Sequence, residues 1–216
     1  MMRRGVLCFV FSVFLALPVC AAAQEAQGMY AAPKFLLGGQ NSGQVNSARD
    51  YYGQKSFATY SEMVYGGALA VGYDFGFPFR AEVEFALRSN AGYKGSEAEQ
   101  STNLTTLFVN AYYDFDTGTP FIPYVGGGLG IALNHTKLKA TLPDGSPWTT
   151  DNYGTFAALN LGAGLAFAFT ENVAADLGYR IIFTGYNEIK GADDNKVYSA
   201  APYIHEFYLG MRFTFN

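Results

Sequence analysis

Phe79-Arg80-Ala81-Glu82-Val83-Glu84-Phe85-Ala86-Leu87-Arg88 places an apolar residue at every second position, and four of the five between them are charged. Successive side chains of a β-strand point to opposite faces. One face of this strand is therefore apolar, and the other carries Arg80, Glu82, Glu84 and Arg88. Alternation leaves open which face meets water. The answer comes from the other strands, from the connections between them and from the N-terminus.

The same period runs through Ala175, Leu177, Tyr179, Ile181 and Phe183, opposed by Asp176, Gly178 and Arg180. Near the C-terminus, Phe207, Leu209, Met211, Phe213 and Phe215 oppose Glu206, Tyr208, Gly210 and Arg212. Val125, Leu129, Ile131 and Leu133 oppose Tyr124, Gly126, Gly128 and Gly130. Eight strand segments follow, at 28–38, 62–75, 79–89, 104–115, 121–134, 154–169, 173–183 and 202–215. Segments of about ten alternating residues suit a tilted membrane strand.

Connections alternate in length. Asp74–Pro78, Asp116–Pro120 and Thr170–Asn172 are short, whereas Gly39–Ser61, Ser89–Asn103, His135–Tyr153 and Thr184–Ala201 are long and polar. An up-and-down barrel puts successive connections at opposite ends, and outer-membrane barrels keep short periplasmic turns and longer external loops. Aromatic residues crowd the strand ends beside the short turns: Tyr73, Phe75, Phe77 and Phe79; Tyr113, Phe115 and Phe121; Phe167 and Phe169; Phe213 and Phe215. That position fits an interfacial girdle.

The chain opens with Arg3-Arg4, an apolar run from Val6 to Leu17, then Pro18 and Ala21-Ala22-Ala23. This order predicts a secretory signal over 1–23 and a barrel domain over 24–216. The apolar run is shorter than the ~20 residues a spanning helix needs. Both cysteines, Cys8 and Cys20, lie in the removed segment, so thiol chemistry is excluded from the expected mature chain. Losing Arg3 and Arg4 takes the formal charge from −4 to −6. An acidic chain without a basic cluster argues against nucleic acid as a partner.

The fold class expected is all-β: an eight-stranded antiparallel up-and-down transmembrane β-barrel in the bacterial outer membrane, apolar face toward lipid. The chain resembles the small outer-membrane barrels of the opacity-protein and surface-antigen type, and is similar to the membrane domain of OmpA. The resemblance lies in Asn110-Ala111-Tyr112-Tyr113-Asp114-Phe115, Pro123-Tyr124-Val125-Gly126-Gly127-Gly128-Leu129-Gly130, Asp176-Leu177-Gly178-Tyr179-Arg180 and the terminal strand. It implies surface exposure and no single activity, since members of the family serve as adhesins, antigens and structural proteins. Gly210, Phe213 and Phe215 resemble the signal read by the barrel-assembly machinery, although Asn216 stands where such signals commonly end on an aromatic.

Four acids and four bases share the inward face: Glu82, Glu84, Asp176 and Glu206 with Arg80, Arg88, Arg180 and Arg212. A barrel of eight strands is just wide enough for side chains to fill. Unpaired charges there cost several kcal/mol each, which predicts a self-neutralising ion-pair network rather than a charged channel. Gly126, Gly127, Gly128 and Gly130 continue as strand rather than leading into a helix. They are therefore expected to be interior positions left small for Arg and Tyr, not a phosphate loop. His135 and His205 near the external strand ends raise the alternative of a lipid-modifying enzyme, but no Ser–His–acid set accompanies them. No cofactor is expected, and no ligand spacing suggests a metal.

Tyr51, Tyr52, Tyr93, Trp148, Tyr153, Tyr186 and Tyr198 fall among the charged residues of the external loops. Aromatics on scaffold-held loops make large contacts at low entropy cost, so these are the candidate recognition residues. The function expected is a non-catalytic surface protein serving interaction, adhesion or antigenic display, with a share in envelope integrity. Its partners would be lipid, the assembly machinery and an extracellular or host ligand, and the barrel would be a monomer. The alternatives are a narrow low-conductance pore and a soluble periplasmic barrel with its faces inverted.

Overall fold

The computed structural model describes residues 27–41, 61–76, 78–94, 98–141, 146–185, 187–190, 196–200 and 202–215. The predicted signal segment lies outside them. Strands β1 (Gly28–Asn41), β2 (Ser61–Asp74), β3 (Phe79–Arg88), β4 (Ala91–Lys94), β5 (Ala98–Asp114) and β6 (Phe121–Thr141) form the first half. Strands β7 (Pro147–Thr170), β8 (Val173–Thr184), β9 (Asn187–Lys190), β10 (Lys196–Ala200) and β11 (Tyr203–Phe215) complete it. The main sheet runs β3-β2-β1-β11-β8-β7-β6-β5-β4, and β3 also pairs with β5, which closes the sheet on itself. Strands β3 and β4 share β5 as neighbour and are two parts of one wall strand, so the closed antiparallel barrel has eight strands. Closure leaves no free edge in the wall.

In all eight wall strands the buried residues are even-numbered and the exposed large apolar residues odd-numbered. Only past the break at Ser89-Asn90 does the parity change, putting Ala91 inside. The outer surface carries Leu69, Val83, Leu107, Leu129, Leu161, Leu177 and Leu209, while Arg80, Glu82, Glu84, Arg88, Asp176, Arg180, Glu206 and Arg212 are buried. That disposition rules out the inverted barrel, in which the charged face would look outward.

The short turns are set by local chemistry. The Asp74 carboxylate accepts the Gly76 N–H at 2.8 Å and the Asp116 carboxylate accepts the Gly118 N–H at 2.8 Å. Both glycines have positive φ, 84° and 64°, a region a Cβ disfavours. Beside these turns the aromatics pack edge to ring around the wall: Phe79 on Tyr113 at 5.4 Å, Tyr113 on Phe115 at 4.9 Å, Phe121 on Phe167 at 4.8 Å and Phe167 on Phe169 at 5.0 Å.

Several strands exceed the bounds expected from sequence, β1 by three residues to Asn41 and three others by more. β5 begins at Ala98, β6 ends at Thr141 and β7 begins at Pro147. Most of Ser89–Asn103 and His135–Tyr153, expected as polar loops, is thus strand, and Thr184–Ala201 holds the small β9–β10 hairpin. Above the lipid neither face needs to be apolar, so the alternation disappears while the backbone ladder continues, with Thr102 opposite Thr136 and Thr136 opposite Asn152. Gly127 is a further correction. It faces outward opposite Leu161, whereas Gly126, Gly128 and Gly130 face in.

Candidate functional site

Within the barrel the buried charged side chains pair with one another in a polar layer. Glu206 accepts from Arg88 Nε at 2.6 Å and from Arg180 Nη2 at 2.7 Å. Arg180 also lies 2.7 Å from Glu84, and Lys34 Nζ reaches Glu84 at 2.7 Å and Glu82 at 2.5 Å. Tyr112 donates to Glu82 at 2.8 Å and Tyr30 at 3.2 Å. Nearer the short turns, Arg80 donates to Asp114 at 2.8 Å, and Arg212 reaches Asp176 at 3.2 Å and Asp74 at 3.9 Å.

The eight charged residues singled out from sequence are therefore brought together in two groups. Glu82, Glu84, Arg88, Arg180 and Glu206 link through shared partners, whereas Arg80, Asp176 and Arg212 pair nearer the turns. Alternation in the clearest strands misses Lys34, Asp74 and Asp114. Lys34 follows Pro33 in a strand whose apolar pattern is broken, and the two aspartates read as turn residues. Their even parity with Tyr30 and Tyr112 is the signal that marks them. With these three the buried set has five bases and six acids.

Four tyrosines tie the cluster to the wall by lying over glycines. A Cβ on Gly72, Gly126, Gly164 or Gly178 would run into the ring of Tyr30, Tyr112, Tyr124 or Tyr208, respectively. Arg80 stacks over Tyr112 at 4.3 Å and over Tyr124 at 4.6 Å, and Arg180 over Tyr208 at 5.3 Å. On the loop side of the charges comes an apolar layer of Val64, Ala91, Leu104, Phe108, Ala132, Ala158, Ile182 and Ile204. The lumen is filled at both levels.

The outer rim is the second candidate. Tyr153 is 75% exposed and stacks on His135 with ring centres 4.2 Å apart and planes 3° apart. His135 Nε2 lies 3.2 Å from the Asp151 carboxylate, which also faces Lys137 at 3.6 Å. Glu99 pairs with Lys139 at 3.3 Å. His205 sits on β11 and shares a hydrogen bond with the Tyr179 hydroxyl at 2.6 Å. Strands β7 and β8 separate it from His135, so the two histidines do not converge on one centre. Of the other candidate aromatics, Tyr93, Trp148 and Tyr198 belong to β4, β7 and β10, and Tyr51, Tyr52 and Tyr186 lie outside the described residues. Phe213 and Phe215 face outward on β11, and Gly210 faces inward beside Lys34. No group of three or more His, Cys, Asp or Glu side chains among the described residues could hold a metal ion.

Comparison with known proteins agrees with this architecture. The chain is 31% identical over 178 residues to the outer membrane protein PagN of Salmonella typhimurium, covering 70% of this chain and 73% of PagN. Its fold is similar to that of Neisserial surface protein A, with a TM-score of 0.55 and 23% identity over 88% of this chain and 100% of the other. It is also similar to Ail, the attachment invasion locus protein of Yersinia pestis, with a TM-score of 0.50 and 16% identity over 88% and 100%. The match to the outer membrane protein beta-barrel domain family extends over residues 9–215. With its lipid-facing apolar wall, its aromatic girdle and its filled polar lumen, the chain belongs to that family and is a protein of the bacterial outer membrane.

Proposed function

We propose that this protein is a non-catalytic surface interaction protein, an adhesin or displayed antigen, whose binding face is the extended external end of the barrel. One observation carries the reading. The wall strands β5, β6 and β7 continue as a paired antiparallel sheet past the apolar band and hold Tyr153 out in solvent beside His135, Asp151 and Lys137. A preformed aromatic platform loses little entropy on binding. The name of the Yersinia barrel refers to attachment, but a shared scaffold transfers no ligand from one protein to the other. The segment 1–23 would export the chain, and Gly210, Phe213 and Phe215 would engage the assembly machinery that inserts it as a monomer.

The test is expression in a non-adherent bacterium followed by counting of cells bound to an epithelial monolayer. Wild type is expected to raise adhesion. A variant with Thr136–Asn152 replaced by a short turn is expected to lose it while remaining in the outer membrane. Equal adhesion with and without the protein would overturn the reading.

The pore reading has less support, because the ion pairs leave no open path and the apolar layer from Val64 to Ile204 lies across the lumen above them. The lipid-modifying reading needs a histidine in a convergent site. His135 and His205 are instead each engaged on the outer rim by a neighbouring acid or phenol.

A further inference from the structure

The barrel closes where its first strand meets its last. Across this β1–β11 seam the pairs run from Met29 with Phe215 to Ala31 with Phe213, and resume in the same register at Lys34 with Gly210. Ala32 and Pro33 are passed over. In the seven other seams of the wall the described pairs follow one another without omission, and the β7–β8 register shifts only beside its turn, between Ala168 and Thr170. A Cβ on Gly210 would meet the Pro33 carbonyl at 3.3 Å, so the Pro33 backbone faces β11. The nitrogen and the carbonyl of one residue point to the same side of an antiparallel strand. The Pro33 nitrogen therefore faces Met211, and it has no hydrogen to give the Met211 carbonyl.

Within sheets proline is confined to edges and bulges, because it cannot donate to a ladder. A closed wall in lipid has no edge, and no water reaches a carbonyl that has lost its donor. Pro33 stands in that wall, exposed on the outer face opposite Leu69 of β2. The lumen compensates. Arg88 of β3 reaches Glu206 of β11 at 2.6 Å, Arg180 of β8 reaches Glu84 of β3 at 2.7 Å, and Arg212 of β11 lies 3.9 Å from Asp74 of β2. Each of these pairs passes behind β1 and joins the two sides of the interrupted seam.

We infer that the β1–β11 seam is the line along which this barrel opens: its backbone ladder is broken at Pro33, and ion pairs that cross the lumen behind β1 latch it shut. Opening starts on the short-turn side, where only Met29, Tyr30 and Ala31 stay paired with β11 below the break. The seam joins the two ends of the chain, so its closure carries the largest loop entropy of any seam in the wall. It is the last to form as the barrel assembles and the first to part. The latch forms only when Arg88, Arg180 and Arg212 find their carboxylates, and a pair that loses one partner leaves a buried charge uncompensated.

The experiment uses the folded barrel in detergent micelles, with amide hydrogen exchange read residue by residue by NMR. The Leu209 and Met211 amides donate across the closing seam, toward Phe35 and Pro33. Leu177 and Ala175 pair with these two residues and so lie at the same height, but their amides donate across the uninterrupted β7–β8 seam. In wild type the first two amides are expected to exchange about tenfold or more faster than the second two, since exchange follows the local opening. Pro33→Ala restores the missing N–H and is expected to slow Leu209 and Met211 about tenfold while leaving Ala175 and Leu177 within about twofold. Arg88→Met removes one crossing pair but leaves Glu206 with Arg180, and is expected to speed Leu209 and Met211 about tenfold over the same controls.

Comparing the two seams within one sample separates opening of this seam from a change in the stability of the whole barrel, which would move all four amides together. Equal exchange at the two seams in wild type would overturn the inference, and that reading needs no variant to fold. Closing-seam amides unmoved by Pro33→Ala, or variants that shift both seams alike, would overturn it as well.

Discussion

Glu206 shows how much a single lumen residue holds. Its carboxylate accepts from Arg88 at 2.6 Å and from Arg180 at 2.9 and 2.7 Å, and it is fully buried. Removing it leaves two guanidinium groups without their shared acceptor in a site closed to bulk water. Breaking a buried pair by deleting one partner costs about 3–5 kcal/mol, so Glu206→Ala is expected to lose about that much in urea unfolding followed by gel mobility. A change under ~1 kcal/mol would mean that the lumen charges are dispensable. Outside the barrel the sign of the rule reverses. Leu129 faces lipid and is 70% exposed, and an arginine near the bilayer centre costs about 2–4 kcal/mol, so Leu129→Arg should destabilise by that amount. His135→Arg, three positions further out on the same face, should cost ~0–1 kcal/mol, because it stands above the apolar band.

At the scale of elements, the β6–β7 hairpin separates into two parts with different tasks. From Phe121 to Leu133 it belongs to the lipid-facing wall, and His135–Thr141 and Pro147–Tyr153 continue past it, held by their own ladder and by polar pairs. Each exposed ion pair there contributes little, about 0–1 kcal/mol. Replacing Thr136–Asn152 with a short turn is therefore expected to leave the heat-modifiable migration of the folded barrel unchanged. Unfolding of the barrel on that replacement would show that the extension nucleates or locks the wall. The same element shows the limit of reading by periodicity. Phe79–Arg88 and Tyr203–Phe215 announce themselves by alternation because lipid and lumen demand opposite chemistry. His135–Lys139 gives no such signal, because above the lipid the outward face is no longer required to be apolar.

For the whole molecule, closure and filling decide what can pass. Eight strands enclose an interior that side chains fill, with the ion pairs capped on the loop side by Phe108, Leu104, Ile182 and Ile204. Planar-bilayer recordings of the wild-type protein are expected to show no steady unitary current. Reproducible steps that change with Phe108→Ser would revive the pore. The overall asymmetry, short turns with an aromatic girdle at one end and extended strands at the other, orients the barrel without reference to any relative.

The sequence by itself determined the class of fold, the number of wall strands, the face turned to lipid and the ends that carry turns or long connections. Each of these follows from the period of two and from where turn residues cluster, both local properties of the chain. It also picked out Arg80, Glu82, Glu84, Arg88, Asp176, Arg180, Glu206 and Arg212 as sharing the inward face. Only the tertiary structure decided which of these meet. Glu206 meets Arg88 across 118 positions of sequence, and Lys34, Asp74 and Asp114 join as partners that alternation left out. The reason is physical. Alternation fixes the direction of a side chain relative to its own strand, while contact across a barrel depends on register, tilt and closure, which are set by all the strands together.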